Sequence, residues 1–118
     1  MSKRILIAED ELSSREMLAT FGKMHGYEVT SVADGRDLLL SVADEQFDLI
    51  ITDLMMMGLD GATATDIFKM HDTTTPVIAL TSLSPQETER LKNKFIRIFH
   101  KPCNFTELYN YVESLIGK

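Results

Sequence analysis

The chain has 118 residues, of which 44% are hydrophobic and 25% are charged, with a formal net charge of −6. This composition is ordinary for one globular domain that folds without a metal or a disulfide, and Cys103 is the only cysteine, which favours a reducing cytoplasm. The net negative charge argues against direct nucleic-acid binding, and no stretch is long and apolar enough to predict a membrane-spanning segment.

Short apolar runs alternate with amphipathic stretches from one end of the chain to the other. In chain order the pattern predicts a strand at 3–8, a helix at 12–25, a strand at 27–32, a helix from the turn at 33–35 to 44, a strand at 47–53, a helix at 62–71, a strand at 76–80, a helix at 85–94, a strand at 96–100 and a helix at 105–116. Helix signals support several boundaries, among them Gly26 after the first helix, Ser84 and Pro85 at the start of the fourth, and Asn104 before the last.

Five strands that each precede a helix predict an α/β fold. The strands would form one parallel sheet with helices on both faces and right-handed crossovers. We see no linker, internal repeat or low-complexity segment, so residues 1–118 are expected to form a single domain with no output domain.

Polar side chains follow four of the predicted strands. The central run 47–53 ends on Asp53, the first strand is followed by Glu9 and Asp10, the fourth by Thr81 and the fifth by Lys101. Because ligands of open α/β sheets bind at the carboxyl ends of the strands, we expect these groups to meet at one edge.

Three neighbouring carboxylates repel one another and call for a cation. Hard oxygen ligands suit Mg²⁺, which prefers one or two carboxylates together with phosphate oxygens. Lys101 could pair with a phosphoryl oxygen, and Thr81 could donate a hydrogen bond to it. Asp53 could then act as a nucleophile toward phosphorus and form an aspartyl phosphate.

The whole chain resembles the receiver domain of two-component response regulators. The resemblance rests on motifs that occur in order and at the family's spacing: Ile7-Ala8-Glu9-Asp10-Glu11, Gly26-Tyr27-Glu28-Val29, Ala33-Asp34-Gly35, Asp53-Leu54-Met55-Met56, Asp60-Gly61, Pro76-Val77-Ile78-Ala79-Leu80-Thr81 and Lys101-Pro102. It implies a CheY-like, flavodoxin-like (βα)₅ fold with strand order 2-1-3-4-5.

The resemblance also implies roles for individual residues. Asp53 would be the phospho-acceptor, and Glu9, Asp10, Asp53 and the backbone carbonyl of Met55 would bind Mg²⁺. Lys101 would contact the phosphoryl group and would precede a cis peptide bond, and Thr81 would report on phosphorylation.

The partners implied are a sensor histidine kinase or a histidine phosphotransfer protein, whose phosphohistidine supplies the phosphoryl group. A downstream protein would bind the face formed by helix 4, strand 5 and helix 5, and the chain would be a monomer or a phosphorylation-dependent dimer. It would promote its own phosphorylation and dephosphorylation without being a conventional enzyme.

Two positions depart from the family pattern. Three residues before the lysine, where the family usually has an aromatic switch residue, this chain has Ile98, and Met57 replaces a usual proline. Met55 and Leu83 occupy positions that flank the phosphoryl group in the family. Both are apolar here, which suggests that they hinder the attacking water and lengthen the phosphorylated state.

Three alternatives compete with a phospho-accepting receiver. Ile98 motivates a receiver-like interaction module that works without phosphorylation, although the full acidic, Thr and Lys set opposes it. A Mg²⁺-dependent phosphatase would need a second Asp where the chain has Met55. A flavodoxin is disfavoured because Glu9-Asp10-Glu11 follows the first strand, where a phosphate cradle would need hydroxyl and glycine donors.

Overall fold

A computed structural model describes residues 2–118. Ten elements and one 3₁₀ helix follow one another: β1 Arg4–Ala8, α1 Leu12–Met24, β2 Glu28–Val32, α2 Gly35–Asp44, β3 Leu49–Thr52, α3 Gly61–Lys69, β4 Val77–Thr81, α4 Pro85–Thr88, the 3₁₀ helix Glu89–Lys94, β5 Arg97–His100 and α5 Phe105–Ile116. No helix within these residues has the length and apolarity needed to cross a membrane.

The five strands form one parallel sheet in the order β2-β1-β3-β4-β5. The strand β3 is central and all four of its residues are buried, as the uninterrupted apolar run predicted. The predicted α/β class and strand order are therefore confirmed.

The alternation of side chains along each strand builds a separate core on each face of the sheet. Ile5 and Ile7 point to the first core, which α1 and α5 cover, whereas Leu6 and Ala8 point to the second, which α2, α3 and the 3₁₀ helix cover. Helices on both faces leave the edge of the sheet as the place where polar side chains can gather.

Most helix boundaries follow the signals read from the sequence. Ser84 and Glu87 form a reciprocal capping box, Asn104 caps α5, and Gly26 has a positive φ of 92° after α1. Four of the predicted strands are one to three residues too long, and the fourth begins and ends one residue too early.

The fourth predicted helix is correct in position but wrong in type over its second half. It is α-helical only to Thr88 and continues as a 3₁₀ helix to Lys94. Thr88 is buried, and its hydroxyl donates to the carbonyls of Ser84 at 3.3 Å and Pro85 at 3.2 Å. Such bonds from a threonine to the preceding turn disturb a regular helix, which accounts for the change at this residue.

Candidate functional site

Three carboxylates meet at the carboxyl edge of the sheet. Because β1 and β3 are neighbours and Ala8 pairs with Thr52, the next residues, Glu9 and Asp53, lie side by side. One carboxylate oxygen of each of Glu9, Asp10 and Asp53 lies within 4.8 Å of the others. The structure thus brings together the three acidic residues that the strand ends predicted.

Lys101 connects two of these carboxylates. Its Nζ lies 2.5 Å from Glu9 Oε1 and 2.8 Å from Asp53 Oδ2. The backbone positions it, because the Lys101 N–H donates to the Thr81 carbonyl at 2.7 Å and the following peptide bond, to Pro102, is cis as the resemblance implied. The ammonium group is therefore held directly beside the Asp53 carboxylate.

Burial and charge shift the pKa values of this pair. Glu9 is only 2% exposed, and this burial, with the neighbouring Asp53, raises the pKa of its carboxyl against the opposing effect of Lys101. Burial lowers the pKa of Lys101, but its hydrogen bonds to Asp53 and Glu9 outweigh that effect and raise it. Lys101 is accordingly a permanent cation at neutral pH.

Asp53 is held at three points. Its Oδ1 accepts from the Met55 N–H at 3.0 Å, its Oδ2 is bound by Lys101, and its backbone carbonyl accepts from the Thr52 hydroxyl at 2.9 Å. Gly61, the first residue of α3, lies against that carbonyl so closely that a Cβ at position 61 would overlap the carbonyl oxygen. Glycine at this position lets α3 begin directly beside Asp53.

Thr81 ends β4, the strand beside β3, and is fully buried. Its hydroxyl oxygen accepts from the Leu83 N–H at 3.1 Å, so it is engaged with residues 82–84, the β4–α4 loop. Ile98, at the usual aromatic position, packs against the second core.

Arg15 is a site residue that the sequence reasoning missed. It lies one turn into α1, and its guanidinium donates to the carbonyls of Glu9 at 2.9 Å and Asp10 at 3.4 Å. It therefore fixes the backbone of the acidic turn. A basic residue one helical turn after an acidic turn was the available signal.

The donor set suits a magnesium ion. Three carboxylates supply hard oxygen ligands, and one of them, Asp10, is exposed, so water could complete an octahedral shell. The charge of Lys101 offsets only part of the negative charge of three carboxylates, which leaves a net attraction for a cation.

The sheet order and this acidic cluster are those expected of a receiver domain, and comparisons with known proteins agree. Residues 5–113 match the family model of the response regulator receiver domain, and the chain belongs to this family. It is 36% identical over 115 residues, 96% of the chain, to the regulatory protein AtoC of Escherichia coli, of which it covers 25%. It is also 34% identical over 107 residues to the transcription factor SKN7 of Candida albicans, of which it covers 19%, so the chain spans a quarter or less of the length of these two relatives.

Solved structures give the same assignment. The receiver domain of a sensor histidine kinase from Pseudomonas aeruginosa, with magnesium in its active site cleft, superposes with a TM-score of 0.91 at 28% identity, over 100% of both chains. The response regulator TrrA of Thermotoga maritima, in complex with Mg²⁺ and BeF, gives 0.88 at 28% identity, over 96% of this chain and 98% of that one.

These findings establish function at the level of the family. The chain is a receiver domain of two-component signalling.

Proposed function

We propose that Asp53 accepts a phosphoryl group from the phosphohistidine of a sensor histidine kinase or a histidine phosphotransfer protein. The observation that carries this proposal is the position of Lys101 Nζ, 2.8 Å from Asp53 Oδ2 within a cluster of three carboxylates. Glu9, Asp10, Asp53 and the backbone carbonyl of Met55 would hold Mg²⁺, which when bound neutralises phosphoryl oxygens.

Different groups of the site would have different roles in phosphoryl transfer. A carboxylate oxygen of Asp53 attacks phosphorus, the new P–O bond replaces the P–N bond of the donor, and the released electron pair stays on the imidazole nitrogen. Asp53 is already an anion, so no base is needed. The Lys101 ammonium and the Met55 N–H, which hold its two oxygens in the free protein, lie where they can neutralise and orient the phosphoryl oxygens.

The signal would leave the site through Thr81. When the Thr81 side chain moves so that its hydroxyl donates to a phosphoryl oxygen, the Leu83 N–H loses its partner and the β4–α4 loop is free to rearrange. The surface formed by α4, the 3₁₀ helix, β5 and α5 would present that change to a downstream protein or to a second phosphorylated copy. We propose that residues 1–118 act as one receiver unit in the cytoplasm.

The lifetime of the phosphorylated state would depend on two apolar residues beside the site. Met55 is 57% exposed and follows Asp53 by two residues, and Leu83 lies in the β4–α4 loop. We expect both to hinder the water that hydrolyses the aspartyl phosphate. Met55→Ala and Leu83→Ala should each shorten the phosphoryl half-life, and an unchanged half-life in both variants would refute this role.

Intact mass after incubation with acetyl phosphate and Mg²⁺ tests the acceptor. The wild type should gain one phosphoryl group, about 80 Da, and the gain should vanish with a chelator and in Asp53→Asn. Asp44→Asn, which removes a carboxylate at the far end of α2, should still gain it. A protein that binds Mg²⁺ but gains nothing would instead be a phosphorylation-independent interaction module, the alternative that Ile98 favours.

A further inference from the structure

His100 shares a face of β5 with Ile98. Residues two apart on a strand point to the same side, and Ile98 packs against the second core whereas Phe99 belongs to the first. In the register of the sheet, His100 pairs with Thr81. The imidazole is therefore carried on the face that the β4–α4 loop crosses.

The two hydrogen-bonding groups of Leu83 are both held by side chains of this strand pair. Its N–H donates to Thr81 Oγ1 at 3.1 Å, and its carbonyl lies 2.8 Å from His100 Nδ1. A carbonyl oxygen can only accept, so Nδ1 must carry the hydrogen and donate it. One residue of the loop is thus tied to β4 by Thr81 and to β5 by His100.

The two ties would respond differently to phosphorylation. In the proposed function the Thr81 side chain moves toward the phosphoryl oxygen, and this movement would break the bond that its hydroxyl accepts from the Leu83 N–H. The His100 bond does not involve a group of the phosphorylation site, and it would continue to hold the loop in its present place. It therefore opposes any rearrangement that Thr81 begins.

We propose that His100 is a positioning residue that latches the β4–α4 loop in its unphosphorylated arrangement, and that it does this in place of an aromatic residue at position 98. This inference rests on the proposed function, because the latch acts on a loop that Thr81 controls. A bond that stabilises only one of two arrangements lowers the affinity for every ligand that requires the other arrangement. Such a ligand weakens the bond in return, because the coupling is reciprocal.

Two variants separate the hydrogen bond from the space that the ring fills. His100→Leu keeps a side chain of similar size and removes the donor. His100→Asn carries an amide N–H at nearly the place of Nδ1 and can restore the bond to the Leu83 carbonyl. If the ring only fills space, the two variants should differ from the wild type by the same amount. Alternatively, His100→Leu should be closer to the wild type, because leucine suits a partly apolar face.

The test is the affinity of each protein for beryllofluoride in the presence of Mg²⁺, followed by amide NMR. His100→Leu should bind this phosphoryl mimic more tightly than the wild type, by roughly 2- to 10-fold, the range of one hydrogen bond. His100→Asn should bind it as the wild type does. Equal or weaker binding by His100→Leu, or an Asn variant that behaves like the Leu variant, would overturn the proposal.

Amide hydrogen exchange keeps failure of the latch distinct from failure of the proposed function. Without ligand, the Leu83 amide should exchange faster in His100→Leu than in the wild type and in His100→Asn, by a similar factor. If the wild type itself takes up no beryllofluoride, the proposed function fails and so does the switching role of the latch. Unchanged exchange in His100→Leu would overturn the latch whatever the mimic does.

Discussion

Replacing Lys101 by methionine should destabilise the protein and at the same time tighten its binding of magnesium. The ammonium group lies between two carboxylates that are 2% and 7% exposed, and its removal would leave both without a cation. Breaking a buried ion pair costs about 3–5 kcal/mol. We expect about 3 kcal/mol, the lower end of that range, because the Lys101 side chain is 26% exposed and water can enter.

Urea denaturation in a chelator measures this loss. The cost should shrink at acidic pH, because the pKa of Glu9 is already raised and rises further once Lys101 is gone, so that protonation removes the unpaired charge. Lys92→Met is the matched control, since its ion pair with Glu89 is exposed and contributes about 0–1 kcal/mol. A loss in Lys101→Met no larger than in this control would refute the reasoning.

Whereas Lys101→Met should destabilise the fold, the same substitution should strengthen the binding of magnesium. Lys101 competes with a bound cation for the same carboxylates, so its removal should tighten Mg²⁺ binding roughly tenfold, or about 1.4 kcal/mol. That figure lies between the ~1 kcal/mol of a charge pair in water and the ~4 kcal/mol near a protein surface. Calorimetric titration with Mg²⁺ measures it, and weaker binding by the variant would contradict the account.

Three further predictions concern Gly61, Asp72 and Tyr109. Gly61→Ala should cost about 1–3 kcal/mol in urea denaturation and slow phosphoryl uptake, because its Cβ would displace α3 from the Asp53 carbonyl; an unchanged rate would contradict this. Hydrogen bonds from Thr75 and its neighbour lower the pKa of Asp72 to about 2, so its stabilising effect holds above the ordinary value of 3.8 and is lost as the pH falls through about 2. An NMR titration midpoint near 3.8 would refute that, and Thr75→Val should raise the midpoint. Tyr109→Phe should cost about 1–2 kcal/mol by deleting a buried 2.7 Å hydrogen bond to α1; unaltered denaturation would argue against it.

The order of the elements and the composition of the acidic cluster could be predicted because both depend on local patterns. The strands β1, β3 and β4 are largely apolar runs, and the residue after a parallel strand must lie at its carboxyl edge. The sequence therefore suffices to predict that Asp53, the two residues after β1 and Lys101 lie at one edge of the sheet.

Features that depend on side-chain geometry were not predictable in this way. Leu12, Met17 and Met24 have helical spacing, yet all three are more than half exposed in α1, because spacing identifies a helix without fixing which face packs. The 3₁₀ helix follows from a back-bond of Thr88, and the latch from a hydrogen bond between residues 17 positions apart. The Thr88 bond depends on the rotamer of one side chain, and the His100 bond forms only when β4 and β5 are in register.

The central claim is that Asp53 carries the phosphoryl group, and chemical mapping of that group tests it most directly. Borohydride reduces an aspartyl phosphate to homoserine, so peptide mass spectrometry after treatment with acetyl phosphate, Mg²⁺ and borohydride identifies the acceptor. The account predicts homoserine at position 53 and at no other carboxylate, and none when Mg²⁺ is chelated. Homoserine at position 10 or at any other aspartate, with position 53 unmodified, would contradict it.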